Sequence, residues 1–167
     1  MSEVDTLAQY FQNAPAIFQA ATDVGMPLWI AAAKVEKESH GYNVYGNDNN
    51  GVFNKLDPAR PAGGLVTEQN YAEFERRVLG GETSNGVGPS QITWRPFIQD
   101  AKNRGIRLWD PYENLKFGFN ILAGYLNGQY DIASVQSAAT RYNGSGPAAI
   151  AYGEDFIVKA LVWKKRL

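Results

Sequence analysis

The stretch from Pro27 to Gly41 carries the strongest chemical signal in the chain. On a helical projection of about 100° per residue, Leu28, Ala31, Ala32, Val35 and Ser39 share one stripe, Lys37 points directly away, and Glu36 and Glu38 fall on opposite flanks. The wheel does not choose between the two glutamates, but position along the helix does. Glu38 lies in the final turn, where unsatisfied carbonyls carry partial negative charge and favour the protonated form of a carboxyl group. A carboxylic acid kept protonated beside apolar walls is what general-acid cleavage of a glycosidic bond requires. Composition removes most competitors. The chain has no cysteine and a single histidine, His40, so it cannot build a zinc ribbon, a His-pair zinc protease or a thiol nucleophile. Carboxylates, hydroxyls, amides and backbone remain, and neither metal nor cofactor is expected.

Lys and Arg number 16 against 17 Asp and Glu, a formal net charge of -1, whereas a nucleic-acid binder normally shows a basic surplus. The one basic cluster, Lys164-Lys165-Arg166, reads as a solvated last helical turn at the negative end of the helix dipole. No apolar run approaches the roughly 20 residues of a membrane span. The N-terminus lacks the basic region and apolar core of a secretory signal. Gly144-Ser145-Gly146-Pro147-Ala148-Ala149 formally matches Gly-x-Gly-x-x-Ala, but no strand-like segment precedes it and no dinucleotide site is expected.

Helix punctuation recurs along the chain and strand-like alternation is scarce, so the elements that must position Glu38 are those of one mainly α-helical domain over residues 1–167. Helices are expected over Val4 to Gln12, Pro15 to Gly25 and Pro27 to Ser39. Others run from a Thr67 cap to Gly80, from a Thr93 cap to Arg104, from Asp110-Pro111 to Asn127, and from Asp131 to Arg141. The last segment, Pro147 to Leu167, contains Gly153, which is expected to kink or divide it. Tyr42 to Asn54 reads as a loop or short hairpin beside the cleft. Val52 to Leu65 and Gly80 to Ser90 read as glycine- and proline-rich surface excursions framing that cleft.

Three short motifs in order carry a resemblance. Lys37-Glu38-Ser39-His40-Gly41 resembles the Glu-Ser-His segment that ends the catalytic helix of goose-type lysozymes, and the Glu-Ser of soluble lytic transglycosylases. Gly86-Val87-Gly88-Pro89-Ser90-Gln91-Ile92 resembles their Gly-x-Gly-Leu-Met-Gln segment, and Arg141-Tyr142-Asn143-Gly144-Ser145-Gly146 their Ala-Tyr-Asn-x-Gly. The resemblance implies a lysozyme-like fold and cleavage of peptidoglycan between N-acetylmuramic acid and N-acetylglucosamine. It makes Glu38 the catalytic acid and assigns Ser39, Gln91, Tyr142 and Asn143 to substrate. Their chemistry suits this. Ser39 offers a hydroxyl, or satisfies its own backbone; Gln91 and Asn143 offer donor and acceptor, though each also suits a turn or helix end; Tyr142 offers a ring face and a phenol.

The chain departs from the family pattern where Pro89-Ser90 replaces Leu-Met and Arg141 replaces alanine. The long gap between Glu38 and Gln91 suggests an insertion at about 52–85. Tyr45-Gly46-Asn47-Asp48-Asn49-Asn50-Gly51 resembles the Gly-Trp-Gly-Asp-x-Gly-Asn-Gly loop of goose-type enzymes, which would make Asp48 the second catalytic carboxylate, or else an ordinary turn aspartate. Two mechanisms stay open. With Asp48 holding a water the reaction is an inverting hydrolysis; with Glu38 alone it is a transglycosylation that closes an anhydro ring, and the recognisable loop tilts the reading to hydrolysis. His40 is read as structural. Among the tryptophans, Trp29, Trp94 and Trp109 are candidates for a sugar-stacking platform. The resemblance implies a monomeric lytic enzyme of a phage, held in the host cytoplasm until it reaches the wall or carried in the virion, with no membrane insertion and no nucleic-acid partner. Non-catalytic glycan binding and chitin-type hydrolysis are the alternatives.

Overall fold

Short polar side chains and prolines decide where the helices begin. The computed structural model describes residues 1–46, 48, 50–53 and 64–167, and among these it forms eight helices and no strand. They are α1 (Glu3–Ala8), α2 (Ala14–Val24), α3 (Leu28–Glu38), α4 (Glu68–Leu79), α5 (Arg95–Asn103), α6 (Pro111–Leu126), α7 (Ile132–Asn143) and α8 (Pro147–Arg166). Thr67, Asp110 and Asp131 each accept a hydrogen bond from a first-turn amide of the helix they cap. Three expectations need correction. α1 stops at Ala8, and the chain turns so that the Gln12 amide bonds the His40 carbonyl. α5 is entered from Trp94 without a side-chain cap; the Thr93 hydroxyl instead donates to the Gln91 carbonyl. α8 runs unbroken from Pro147 to Arg166 and is not divided at Gly153. A Cβ there would lie 2.0 Å from Thr140 Oγ1 of α7, so glycine serves the close approach of α7 and α8.

Two apolar clusters share α6 as their common wall. Leu115, Phe119, Leu122 and Leu126 of α6 join α1, α2, α3, α7 and α8 in the larger core, while Phe117 faces a second core built from α4, α5 and the loops around Tyr45 and Val87. Spacings of three and four residues put the first set on one face, and Phe117 falls between them on another. α3 is not the one-stripe helix the projection describes. Every residue from Ile30 to Val35 is buried, Lys34 included, because three consecutive alanines let neighbours close in on several sides.

The segment Gly80 to Ser90 also departs from expectation, since Ser84 to Ser90 are all buried. The backbone there is satisfied internally: the Gly46 amide bonds the Gly86 carbonyl, the Gly88 amide bonds the Val44 carbonyl, and Val87 and Ile92 exchange both bonds. Of the loop or short hairpin expected over Tyr42 to Asn54, the described residues form a loop, tied to its neighbours by isolated antiparallel bridges of Val44 with Leu65 and Tyr45 with Val87, while Val87 also bridges Ile92. In the proposed insertion, Val66, Tyr71, Phe74 and Val78 supply part of the second core. Residues 54–63, with Pro58, Pro61 and Gly63 of the expected excursion, lie outside the described residues, as do Asn47 and Asn49. No helix among the described residues is long and apolar enough to cross a membrane.

Candidate active site

Glu38 is the last residue of α3 and opens onto a cleft of about 270 Å³ between elements of the two cores. One wall is Glu38 with Tyr142 and Asn143 from the end of α7; the other is Gln91, Ile92, Thr93, Trp94 and Phe97. Four of the six residues expected in the site, Glu38, Gln91, Tyr142 and Asn143, thus line one cleft. Glu36 is turned elsewhere, its Oε2 accepting 2.6 Å from Nε1 of the buried Trp163. The two flanks of the helix therefore have different tasks, Glu38 opening onto the cleft and Glu36 being committed to Trp163.

The carboxyl group of Glu38 is held on one oxygen. Tyr152 of α8 donates to Oε1 at 2.7 Å, and the ammonium of Lys34, one turn back on α3, stands 3.7 Å from the same atom. Oε2 receives no hydrogen bond from a described residue. Lys34 is 1% exposed and also donates to Tyr142 Oη at 2.9 Å. Taking an ammonium out of water costs several kcal/mol, whereas a unit-charge pair near 4 Å recovers about 4 kcal/mol at an effective dielectric of about 20. Burial works against the charge on Lys34, while Glu38 and the hydrogen bond to Tyr142 favour it, and its pKa is raised above the ordinary value. Burial likewise raises the pKa of Tyr142, against the pull of Lys34. Tyr142 is thus a neutral phenol whose oxygen accepts from Lys34 and whose hydrogen makes no bond to a described residue.

The remaining expected residues divide. Both Nε2 hydrogens of Gln91 are committed, to the carbonyls of Val44 at 3.0 Å and Gly88 at 2.9 Å. Gln91 sits at φ 49, a left-handed conformation that costs a non-glycine residue about 1–3 kcal/mol and is held by these bonds. Toward a ligand it offers only an acceptor. The Asn143 amide bonds no described residue and keeps both donor and acceptor. Ser39 does not act in the cleft wall: its hydroxyl donates to the Pro89 carbonyl at 2.7 Å and accepts from the Gly41 amide, tying the end of α3 to the loop that carries Gln91. Asp48 does the same from the other side, Oδ2 accepting from the Gly86 amide at 2.6 Å. It is not among the cleft-lining residues. His40, at φ 54, closes the end of α3 with its ring against Phe11.

The tryptophans also separate. Trp163 is core, Trp29 lies under Lys164 and Trp109 under Arg107. Trp94 is 61% exposed, braced edge-on by Phe97, and stands where the cleft meets a second hollow of about 530 Å³ lined by Thr83, Ser84, Arg95 and Pro96. A hollow of about 330 Å³ near Arg104 and Lys116 shares no residue with the Glu38 cleft. Sequence reasoning missed Lys34 and Tyr152. The signal for Lys34 is a lone charge in an apolar run, four residues before the acid; Tyr152 gives none, being 114 residues away. No family model, curated protein or solved structure matches this chain.

Proposed function

We propose that this protein is a lytic transglycosylase of lysozyme-like architecture that cuts peptidoglycan glycan strands at the muramic acid C1 to glucosamine O4 bond. The observation that carries the reading is that Glu38 is the one carboxyl group among the described residues lining a cleft whose other polar members are Gln91, Thr93, Tyr142 and Asn143. Asp48, which an inverting hydrolysis would need facing a water across the sugar, holds the Gly86 amide with Oδ2 and is not among the residues that line the cleft. In the proposed reaction Glu38 gives its proton to O4, the C1–O4 bond breaks and its electron pair leaves with the glucosamine. The muramic 6-hydroxyl oxygen then bonds to C1, and its proton returns to the Glu38 carboxylate. No water is consumed and the enzyme is regenerated. Tyr142 and Asn143 supply donors to the sugar, and Gln91 an acceptor.

Mass spectrometry of muropeptides released from purified cell walls tests this. The expected product ends in anhydromuramic acid, lighter by one water, about 18 Da, than the product of hydrolysis. Reducing ends instead would return Asp48 to the role of base, and release of nothing from walls or chitin oligosaccharides would leave a non-catalytic glycan-binding module. The setting of a phage lytic enzyme belongs to the same reading.

With a net charge of -1 this chain has no general attraction for an anionic wall, so the grip on substrate comes from the cleft or from a separate binding module. Trp94 is the exposed ring placed to stack on a sugar. Trp94→Ala is expected to weaken binding of glycan oligosaccharides about tenfold, roughly 1.4 kcal/mol, without moving the melting temperature. Titration calorimetry reads the first and thermal unfolding the second; unchanged affinity would remove Trp94 from the binding surface.

A further inference from the structure

We propose that Lys34 is the positioning residue of the site, its buried ammonium fixing Glu38 through Oε1 and providing the counter-charge to the carboxylate that remains once Glu38 has given up its proton. The inference rests on the glycosidase reading and deepens it. Its geometry is independent of any ligand. Lys34 Nζ lies 3.7 Å from Glu38 Oε1 and 2.9 Å from Tyr142 Oη, and Tyr152 donates to that same Oε1. With one oxygen held from α3 and α8, Oε2 is left to carry the proton to substrate and back. The stem of Lys34 occupies a space made by small residues. A Cβ on Gly118 of α6 would lie 3.5 Å from Lys34 Cε and 2.3 Å from Ser90 Oγ, itself buried with no partner among the described residues.

A purely structural part does not account for this lysine. An apolar side chain of similar volume would fill the space without the desolvation cost of an ammonium, leaving Glu38 with Tyr152 as its partner. What an apolar residue cannot do is meet the charge that develops on Glu38 as its proton departs, an interaction made in advance by a fixed ammonium in a low-dielectric site. The same ammonium also occupies the phenol oxygen of Tyr142.

The chain has no cysteine, so Lys34→Cys introduces a sole thiol that can be alkylated in denaturant before refolding. Aminoethylation restores a lysine-like ammonium; ethylation restores most of the volume without the charge. Wild type, Lys34→Met and both alkylated proteins are compared by thermal unfolding and by initial rates of muropeptide release. Lys34→Met and the ethylated protein are expected to stay folded, melting somewhat below the wild type, and to lose at least about tenfold in kcat with KM nearly unchanged. The aminoethylated protein is expected to regain most of that loss. Equal kcat for the ethylated and aminoethylated proteins, or full kcat in Lys34→Met, overturns the role of Lys34 and leaves the glycosidase reading standing. A wild type that releases no muropeptide overturns that reading and this inference with it.

Discussion

Glu38→Gln is expected to lower the rate of wall lysis by at least roughly 10²-fold, the low end of what a positioned acid supplies, while the protein remains folded. The amide has the shape of the acid and still accepts from Tyr152 at the position of Oε1, but it has no proton to give and cannot take one back. Lys34 loses its counter-charge and keeps Tyr142, so the melting temperature falls by a few degrees without loss of the fold. Glu36→Gln is the matched control. Its amide oxygen still accepts from Trp163 Nε1, a charge-assisted bond becomes a neutral one at a cost of about 1 kcal/mol, and lysis stays within about twofold of the wild type. Turbidity clearing of cell-wall suspensions and thermal unfolding, run on both variants, read the contrast. Clearance by Glu38→Gln at the wild-type rate, with Glu36→Gln inactive, would falsify the assignment and move the chemistry to the other flank of α3.

That contrast also marks where sequence reasoning reaches its limit. Helix limits set by local chemistry are legible: Thr67, Asp110 and Asp131 cap through their own side chains, and Gly25 and Asn127 end helices in left-handed conformations. α5 shows the converse, since Trp94 caps nothing and the Thr93 hydroxyl is used on Gln91. Position in the final turn favours Glu38 over Glu36, but the partners that separate them, Trp163 and Tyr152, lie on α8 more than a hundred residues away and give no sequence signal. Lys34 looks like an interruption of an apolar run until Tyr142 and Glu38 are seen around it. The Gly80 to Ser90 stretch reads as surface because glycine is common in loops. Here Gly86 and Gly88 instead let backbone approach the side chains of Gln91 and Asn114, to distances no Cβ would permit. Motif order brought Glu38, Gln91, Tyr142 and Asn143 into one cleft, yet it could not tell a residue that faces the cleft from one, such as Ser39 or Asp48, that braces it from behind.

The brace with the largest stability effect is Asn114, which no sequence signal singles out. It is fully buried in the first turn of α6 and uses its whole amide: Oδ1 accepts from the Ser90 amide at 2.8 Å, and Nδ2 donates to the carbonyls of Val87 at 2.9 Å and Leu108 at 3.0 Å. One side chain thereby fixes both ends of the turn that presents Gln91. Asn114→Leu keeps the volume and removes all three bonds. The Val87 carbonyl retains the Ile92 amide, but the Ser90 amide and the Leu108 carbonyl lose the bonds Asn114 made. A buried polar group left unsatisfied costs about 1–3 kcal/mol, so the expected loss is about 3–5 kcal/mol, a large part of the 5–15 kcal/mol that holds a typical domain together. Asn120, exposed on the same helix, gives the comparison: Asn120→Ala is expected to stay within about 0.5 kcal/mol. Urea unfolding measures both. A loss below about 1 kcal/mol for Asn114→Leu would show that the turn holds itself. A loss of the expected size, with lysis falling faster than the folded fraction, would mean that Asn114 sets the geometry of the cleft as well as the stability of the fold, because the loop it releases is the one that carries Gln91.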